Sequence, residues 1–271
     1  MKIGISIRNM GPQSSRDMIT ACAVAADQAQ LDSLWITEHI AISPDNAEGS
    51  EGRYLDPLIT LSFLAAKTET IKLGTGVLIL PYRPAVITSK LVMTLQELAS
   101  GRLKLGVGIG WMKSEFKALG LDLRHRVRDS HRVLRFLNEA FDNDIVRQNG
   151  EEFIVSPRPE RPPVLMGGSA PHAISRAINY GDGWLPMGLK PEALAPLASD
   201  YKIRAVDAGK TSPEVVVFTR LPLGESVSER ARCEDLIGAY EKAGATSIVH
   251  GQKYTVADEL IDSISNLAQF V

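Results

Sequence analysis

The stretch IKLGTGVLILPYRPAVITSKLVMTLQELASGRLKLGVGIG, residues 71–110, decides the fold. Ile71–Leu80 is a short apolar run with two internal glycines and reads as a buried strand. Pro84–Ala99 reads as a helix, and Pro84 suits a first turn whose N–H would have no partner. Gly101–Gly108 is strand-like again. A helix between two strands is the crossover unit of a parallel sheet, because parallel neighbours need a long return connection.

The same alternation continues on both sides. Upstream lie a strand at Lys2–Arg8, a helix at Arg16–Gln30 with Ser14 or Ser15 as its cap, a strand at Ser33–Thr37 and a helix at Pro57–Thr68. Downstream, helices are expected over Ser114–Leu119, Val127–Ile145, Pro171–Tyr180, Pro191–Ala208, Ser228–Ala243 and Ala257–Phe270. The remaining strands are Pro163–Met166, Gly183–Leu185, Glu214–Arg220 and Thr246–His250. Eight such units in 271 residues predict a single (β/α)8 TIM barrel over residues 1–271, with a doubly wound open sheet as the competitor. Two long polar loops, Ala41–Tyr54 and Arg147–Pro162, are expected to cover the mouth.

Composition removes several classes of function. Apolar residues make up 44% and charged residues 23%, and 30 basic against 32 acidic residues leave a net charge of −2. That hydrophobicity argues against disorder, and the balance lacks the basic excess of a nucleic-acid protein. No run reaches the roughly 18 apolar residues of a membrane span. MKIGISIRNMG reads as a first strand rather than a signal peptide, so a cytoplasmic protein is expected. Cys22 and Cys233 lie far apart on predicted helices and read as reduced thiols. No HExxH, cysteine cluster or GxSxG elbow occurs, so neither a metal site nor a serine hydrolase is expected.

In a parallel barrel, chemistry sits at the C-terminal ends of the strands. Strand 5 runs into Gly167-Gly168-Ser169 before Pro171 opens a helix, which suits either an anion site or a plain capped turn. Gly106, Gly108 and Gly110 form GxGxG, with Trp111 where a dinucleotide fingerprint needs glycine. Such a strip either receives a planar ligand or relieves crowding inside the barrel. Thr75-Gly76-Val77 is a place for an irregular strand end. His39 closes strand 2 and is either a proton-transfer group or a structural histidine. His125, His131 and His172 read as surface residues, and His250 ends the last strand. Trp111 and Trp184 follow glycines and are pocket candidates, while Trp35 reads as core.

The stretches SLWITEH, RYLDPLITLSFLAAKT, IKLGTGVLILPYRPAVITSK, ELASGRLKLGVGIGWMKSEFKALG, PVLMGGSAP and YGDGWLPMG resemble the bacterial luciferase-like monooxygenase family, and within it the deazaflavin-dependent oxidoreductase subgroup. The resemblance implies a barrel that binds flavin mononucleotide (FMN) or the 5-deazaflavin coenzyme F420. It also implies a non-prolyl cis peptide at Gly76–Val77 behind the cofactor ring. Gly108, Gly110 and Trp111 would lie beside the ring, Gly167–Ser169 would take the cofactor phosphate, and His39 would face the reacting centre. It further implies a homodimer formed through helices beside strands 2 to 4, and for a flavin enzyme a separate reductase. One departure stands out: family enzymes that oxidise sugar phosphates carry an acid after the strand-4 glycines, where this chain has Trp111. Glu38 and Glu115 are the neighbouring acids, the latter expected to start a helix. A flavin-binding carrier without catalysis and an unrelated phosphate-binding lyase or isomerase stand as alternatives.

Overall fold

Eight parallel strands close on themselves in the computed structural model, which describes residues 1–271. They are β1 (Lys2–Ser6), β2 (Ser33–Ile36), β3 (Lys72–Thr75), β4 (Leu103–Gly108), β5 (Val164–Gly167), β6 (Gly183–Leu185), β7 (Glu214–Thr219) and β8 (Ser247–His250). Neighbours in sequence are neighbours in space, with Leu34 opposite Leu73 and Leu73 opposite Leu103. The ring shuts where Ile3 of β1 meets Ile248 of β8, so the open-sheet alternative falls.

The expected third strand is interrupted. Its regular run ends at Thr75, with Gly76 N–H still donating to Ile36 O at 2.7 Å; Gly76–Val77 is a cis peptide, as the resemblance implied, and the strand resumes at Leu78–Ile79 against Val107 and Gly108. Nine helices surround the barrel: α1 (Arg16–Gln28), α2 (Pro57–Ala65), α3 (Ala85–Leu98), α4 (Lys113–Ala118), α5 (Arg126–Asp142), α6 (His172–Tyr180), α7 (Pro191–Asp207), α8 (Val227–Lys242) and α9 (Ala257–Leu267). In α1, Ile19, Cys22, Ala23 and Ala26 recur at helical spacing and form the buried stripe, and the Ser15 hydroxyl accepts from Met18 N–H as the cap. Both cysteines are buried and free. No helix is long and apolar enough to cross a membrane.

The loop expected over Arg147–Pro162 contains an antiparallel hairpin, Val146–Gln148 with Glu151–Phe153, that alternation alone did not reveal. Gln96 of α3 donates to Glu160 O and Lys90 of α3 to Ser156 O, which holds this segment on the barrel's outer face. It is therefore not a lid. The mouth is bordered instead by the strand-4 connection, which supplies Trp111, Arg126 and Val127.

Interior volume sets the packing of the barrel. Trp35 points inward and packs edge-on to Phe218 with ring centroids 5.4 Å apart, joined by Leu165, Leu185, Val216 and Val249. A Cβ on Gly74 would stand 2.2 Å from the Trp35 ring, and one on Gly106 would stand 2.0 Å from the Thr75 carbonyl oxygen. These glycines exist because larger neighbours occupy their space. At the opposite end, buried Lys104 pairs with Glu214 at 2.6 Å. Gly106→Ala must push a backbone carbonyl rather than a flexible side chain, so urea unfolding should show a loss of at least about 2 kcal/mol. An unchanged midpoint would show that strand 4 has slack.

Candidate active site

The C-terminal strand ends surround a cleft of about 990 Å³. Its wall holds His39, Gly76, Val77, Gly108, Gly110, Trp111, Gly167, Gly168 and Ser169, nine residues that the sequence placed at the site. Thr75 is not on that wall. It is fully buried, and its hydroxyl donates to Gly106 O at 2.6 Å, tying β3 to β4 from behind.

The floor of the cleft shows the crowding that the glycine strip relieves. The glycine strip is not bare, because the Val77 side chain fills it. A Cβ on Gly108 would lie 2.5 Å from Val77 Cγ2, and one on Gly167 would lie 2.7 Å from Cγ1. Two neighbouring strands, β4 and β5, thus form a cradle around the isopropyl group that the end of β3 supplies, and the Val77 shelf faces the cleft. Gly110 takes φ +75°, and a Cβ there would meet Phe116 at 2.7 Å.

One end of the cleft is electropositive. Gly168 has φ +118° and its carbonyl accepts from the Trp184 indole at 2.9 Å. Trp184, expected in the pocket, is instead fully buried and braces this turn. Arg126, His172 and Arg176 reach the same end of the chain's cleft from α5 and α6. A Cβ on Gly168 would sit 3.5 Å from Arg176 Nη2. Neither guanidinium has a carboxylate within ion-pair reach, so both lack a counter-charge. Burial and then the Arg126 charge push the Arg176 pKa down. Burial, Arg176 and Arg135 do the same to His131. An uncompensated positive cluster beside backbone amides is an anion site in waiting. His172 was read as surface and is exposed, bordering the open cleft, while the arginines went unremarked. Both belong to charged helices whose exposed faces look alike in sequence.

The other end holds His39 against a buried carboxylate. Glu115 is fully buried and its Oε2 lies 2.9 Å from His39 Nδ1. The same carboxylate accepts from Tyr82 Oη at 2.5 Å, Ile40 N–H at 2.5 Å and Ala41 N–H at 3.0 Å. Burial alone would raise its pKa, but the His39, Tyr82, Ala41 and Ile40 hydrogen bonds outweigh it and hold the value at about 2. Burial and the Glu115 carboxylate push the Tyr82 phenol upward. An ionised carboxylate only accepts, so Nδ1 carries hydrogen and Nε2 is left for the cleft. The His39 ring is flanked edge-on by Tyr54 at 5.1 Å and Trp111 at 6.1 Å. An acid four residues beyond Trp111 therefore reaches the histidine through the fold.

Other candidates are structural. Glu38 pairs with Arg83 at 2.6 Å and accepts from Ile79 N–H at 2.5 Å, and its burial raises its pKa. His250 is buried: its Nδ1 accepts from Leu221 N–H at 3.0 Å and its Nε2–H donates to Gln252 at 3.1 Å. No cluster of His, Cys, Asp and Glu is arranged to hold a metal.

The cleft thus combines a glycine-cradled shelf, a cluster of uncompensated cations and a histidine held by a buried carboxylate. The family model described as luciferase-like monooxygenase matches residues 1–263, and the chain belongs to that family. An uncharacterized protein of Mycobacterium tuberculosis is 28% identical over 92% of this chain and 91% of its own length. The 5,10-methylenetetrahydromethanopterin reductase of Archaeoglobus fulgidus is 24% identical over 89% of this chain and 72% of its length. An F420-dependent glucose-6-phosphate dehydrogenase of Kineococcus radiotolerans is 33% identical over 64% of this chain and 55% of its length. The monooxygenase RslO1 of Streptomyces bottropensis shares the fold at TM-score 0.81, with 18% identity over 99% of this chain and 98% of that one.

Glu115 yields a signed pH prediction. Its folded pKa lies below the ordinary 4.5, so its stabilisation is complete above that value and is lost as pH falls toward about 2. Acid titration of Glu115→Gln should lack this part of the wild-type loss. The amide would also turn an N–H toward Nδ1 and disfavour the active tautomer. Superimposable acid curves for the two proteins would mean the carboxylate is not held as described.

Proposed function

We propose that this chain is an oxidoreductase that binds FMN or coenzyme F420 and acts on a small organic substrate. The observation that carries this reading is the pair of unpartnered guanidiniums, Arg126 and Arg176, beside Gly168 in the cleft that also holds His39. Relatives named for F420 support it. The residues fit such a group: the Gly76–Val77 shelf would back the ring, and Gly168, Ser169, Arg126, His172 and Arg176 would neutralise its phosphate.

When bound, the cofactor supplies the redox chemistry, hydride transfer for the deazaflavin or oxygen activation for the reduced flavin. The chain's own part is positioning and proton handling. His39 Nε2 accepts a proton from a substrate hydroxyl, or returns one to a substrate oxygen. Glu115 fixes the ring's tautomer and stabilises the imidazolium that accepting a proton creates. Trp111 and Met187 shield the reacting oxygen from water. A carrier without catalysis has no use for this carboxylate–histidine pair, and no lysine lines the cleft to serve a lyase.

We also infer a homodimer through α3 and its neighbour α2, where Ile59, Ile87, Leu91 and Leu98 are exposed. Residues 87, 91 and 98 share one helical stripe. With FMN as cofactor, a separate reductase supplies the electrons. Buried free thiols accord with a reducing, cytoplasmic setting. Sedimentation that reads a monomer at micromolar concentration would remove the dimer.

Tryptophan quenching on titration with FMN, F420 and riboflavin tests the cofactor. Arg176→Ala should weaken FMN and F420 by roughly tenfold to a hundredfold, and leave riboflavin, which has no phosphate, unaffected. Quenching by neither phosphorylated cofactor overturns the reading. His39→Ala should lower turnover by roughly a hundredfold or more with cofactor affinity intact.

A further inference from the structure

Beyond the Val77 shelf and the Gly168 turn, the cleft has a further exposed apolar surface. Trp111 is 63% exposed, Met187 58% and Val127 41%, and all three line this one concavity. Exposed tryptophan and methionine at a cleft mouth are unusual for a surface that touches only water. A ligand that covers them removes apolar area from water, and the flat indole gives a broad contact.

The polar atoms around His39 are nearly all engaged. The Thr37 hydroxyl and amide both meet Asn9 Oδ1, at 3.2 and 3.0 Å. Glu38 is held by Arg83 and Ile79 N–H. Glu115 is filled by four donors and lies behind His39. Among the polar side chains that line this end of the cleft, Thr37, Glu38 and His39, the atom left without a partner is His39 Nε2. A polyol would leave several hydroxyls unpaired here, which costs free energy for each one buried.

The cations are likewise accounted for. Arg126, His172 and Arg176 border the turn that takes the cofactor phosphate. Arg8 donates to Gly49 O and Gln13, Arg53 to Ser14, and Arg83 to Asp56. Arg220 and Lys253, after β7 and β8, do not line the cleft. No second set of free cations stands ready for a phosphorylated substrate.

We propose that the substrate is a neutral, mainly apolar molecule with a single hydroxyl or carbonyl oxygen. That oxygen meets His39 Nε2, and the hydrocarbon part covers Trp111, Val127 and Met187. The assignment rests on the cofactor reading above, and it separates this chain from relatives named for glucose 6-phosphate.

The test is calorimetric titration of cofactor-loaded protein with straight-chain 2-alkanones from 2-butanone to 2-decanone, and with glucose 6-phosphate. Each added methylene should tighten binding by roughly fourfold until the wall is covered, the equivalent of about 0.8 kcal/mol per buried CH2. Glucose 6-phosphate should give no heat of binding. Val127→Ser keeps a small side chain at an exposed position away from the Gly76–Val77 shelf and the Gly168 turn, so it should flatten the chain-length series while cofactor loading stays unchanged. A flat series in the loaded wild type, or tighter binding of the sugar phosphate than of the longest ketone, overturns the inference. Failure to load either cofactor is a different result: it sinks the underlying reading and this inference with it.

Discussion

Volume inside the eight-stranded ring is the constraint on which everything else depends. An interior this narrow holds few large side chains. Trp35 takes the lower layer and forces glycine at Gly74, while Val77 takes the upper layer and forces glycine at Gly108 and Gly167. The glycines at Gly108 of β4 and Gly167 of β5 are therefore one adaptation, in which the end of β3 folds inward and its neighbours yield. The product is a smooth shelf at the mouth, with the anion turn beginning one residue past the cradle at Gly168. Packing and function meet in the same atoms.

Two electrostatic devices sit on either side of that shelf, and they work in opposite senses. Glu115 is a buried charge made tolerable by four donors, and it hands its order to His39. It also fastens the start of the loop after β2, through Ile40 and Ala41, to the helix after β4. Arg126 and Arg176 are charges left without partners, which a fold retains at a cost unless something else supplies the anion. A satisfied network holds His39 still, and an uncompensated one leaves two positive charges bordering the cleft. The near-neutral net charge of −2 hides this local contrast.

Most of the barrel was legible because strand and helix periods differ and the sequence alternates cleanly between them. The Gly76–Val77 interruption was legible only through family resemblance. The hairpin at Val146–Phe153 escaped because its short strands are polar on a solvent face. Of the site, the glycines and His39 were readable from their places at strand ends. Arg126, His172 and Arg176 were not, since basic residues on amphipathic helices resemble any solvated face. Trp184 was misplaced because a residue after a strand-end glycine can point into the barrel wall as easily as into the cleft.

The sequence by itself determined the alternation, the eight units and the positions at which chain direction reverses, because those are set by local periodicity and by glycine and proline. It also fixed which residues stand at the strand ends. Only the tertiary structure decided which of them share a surface. Glu115 lies 76 positions from His39 and Arg176 lies 50 positions from Arg126, and no local pattern encodes such meetings. Ring closure brings them together, because it turns separate strand ends into one rim. Strand 4 is followed by Trp111 rather than an acid, yet Glu115, four residues further on, is brought to the histidine by the fold of α4.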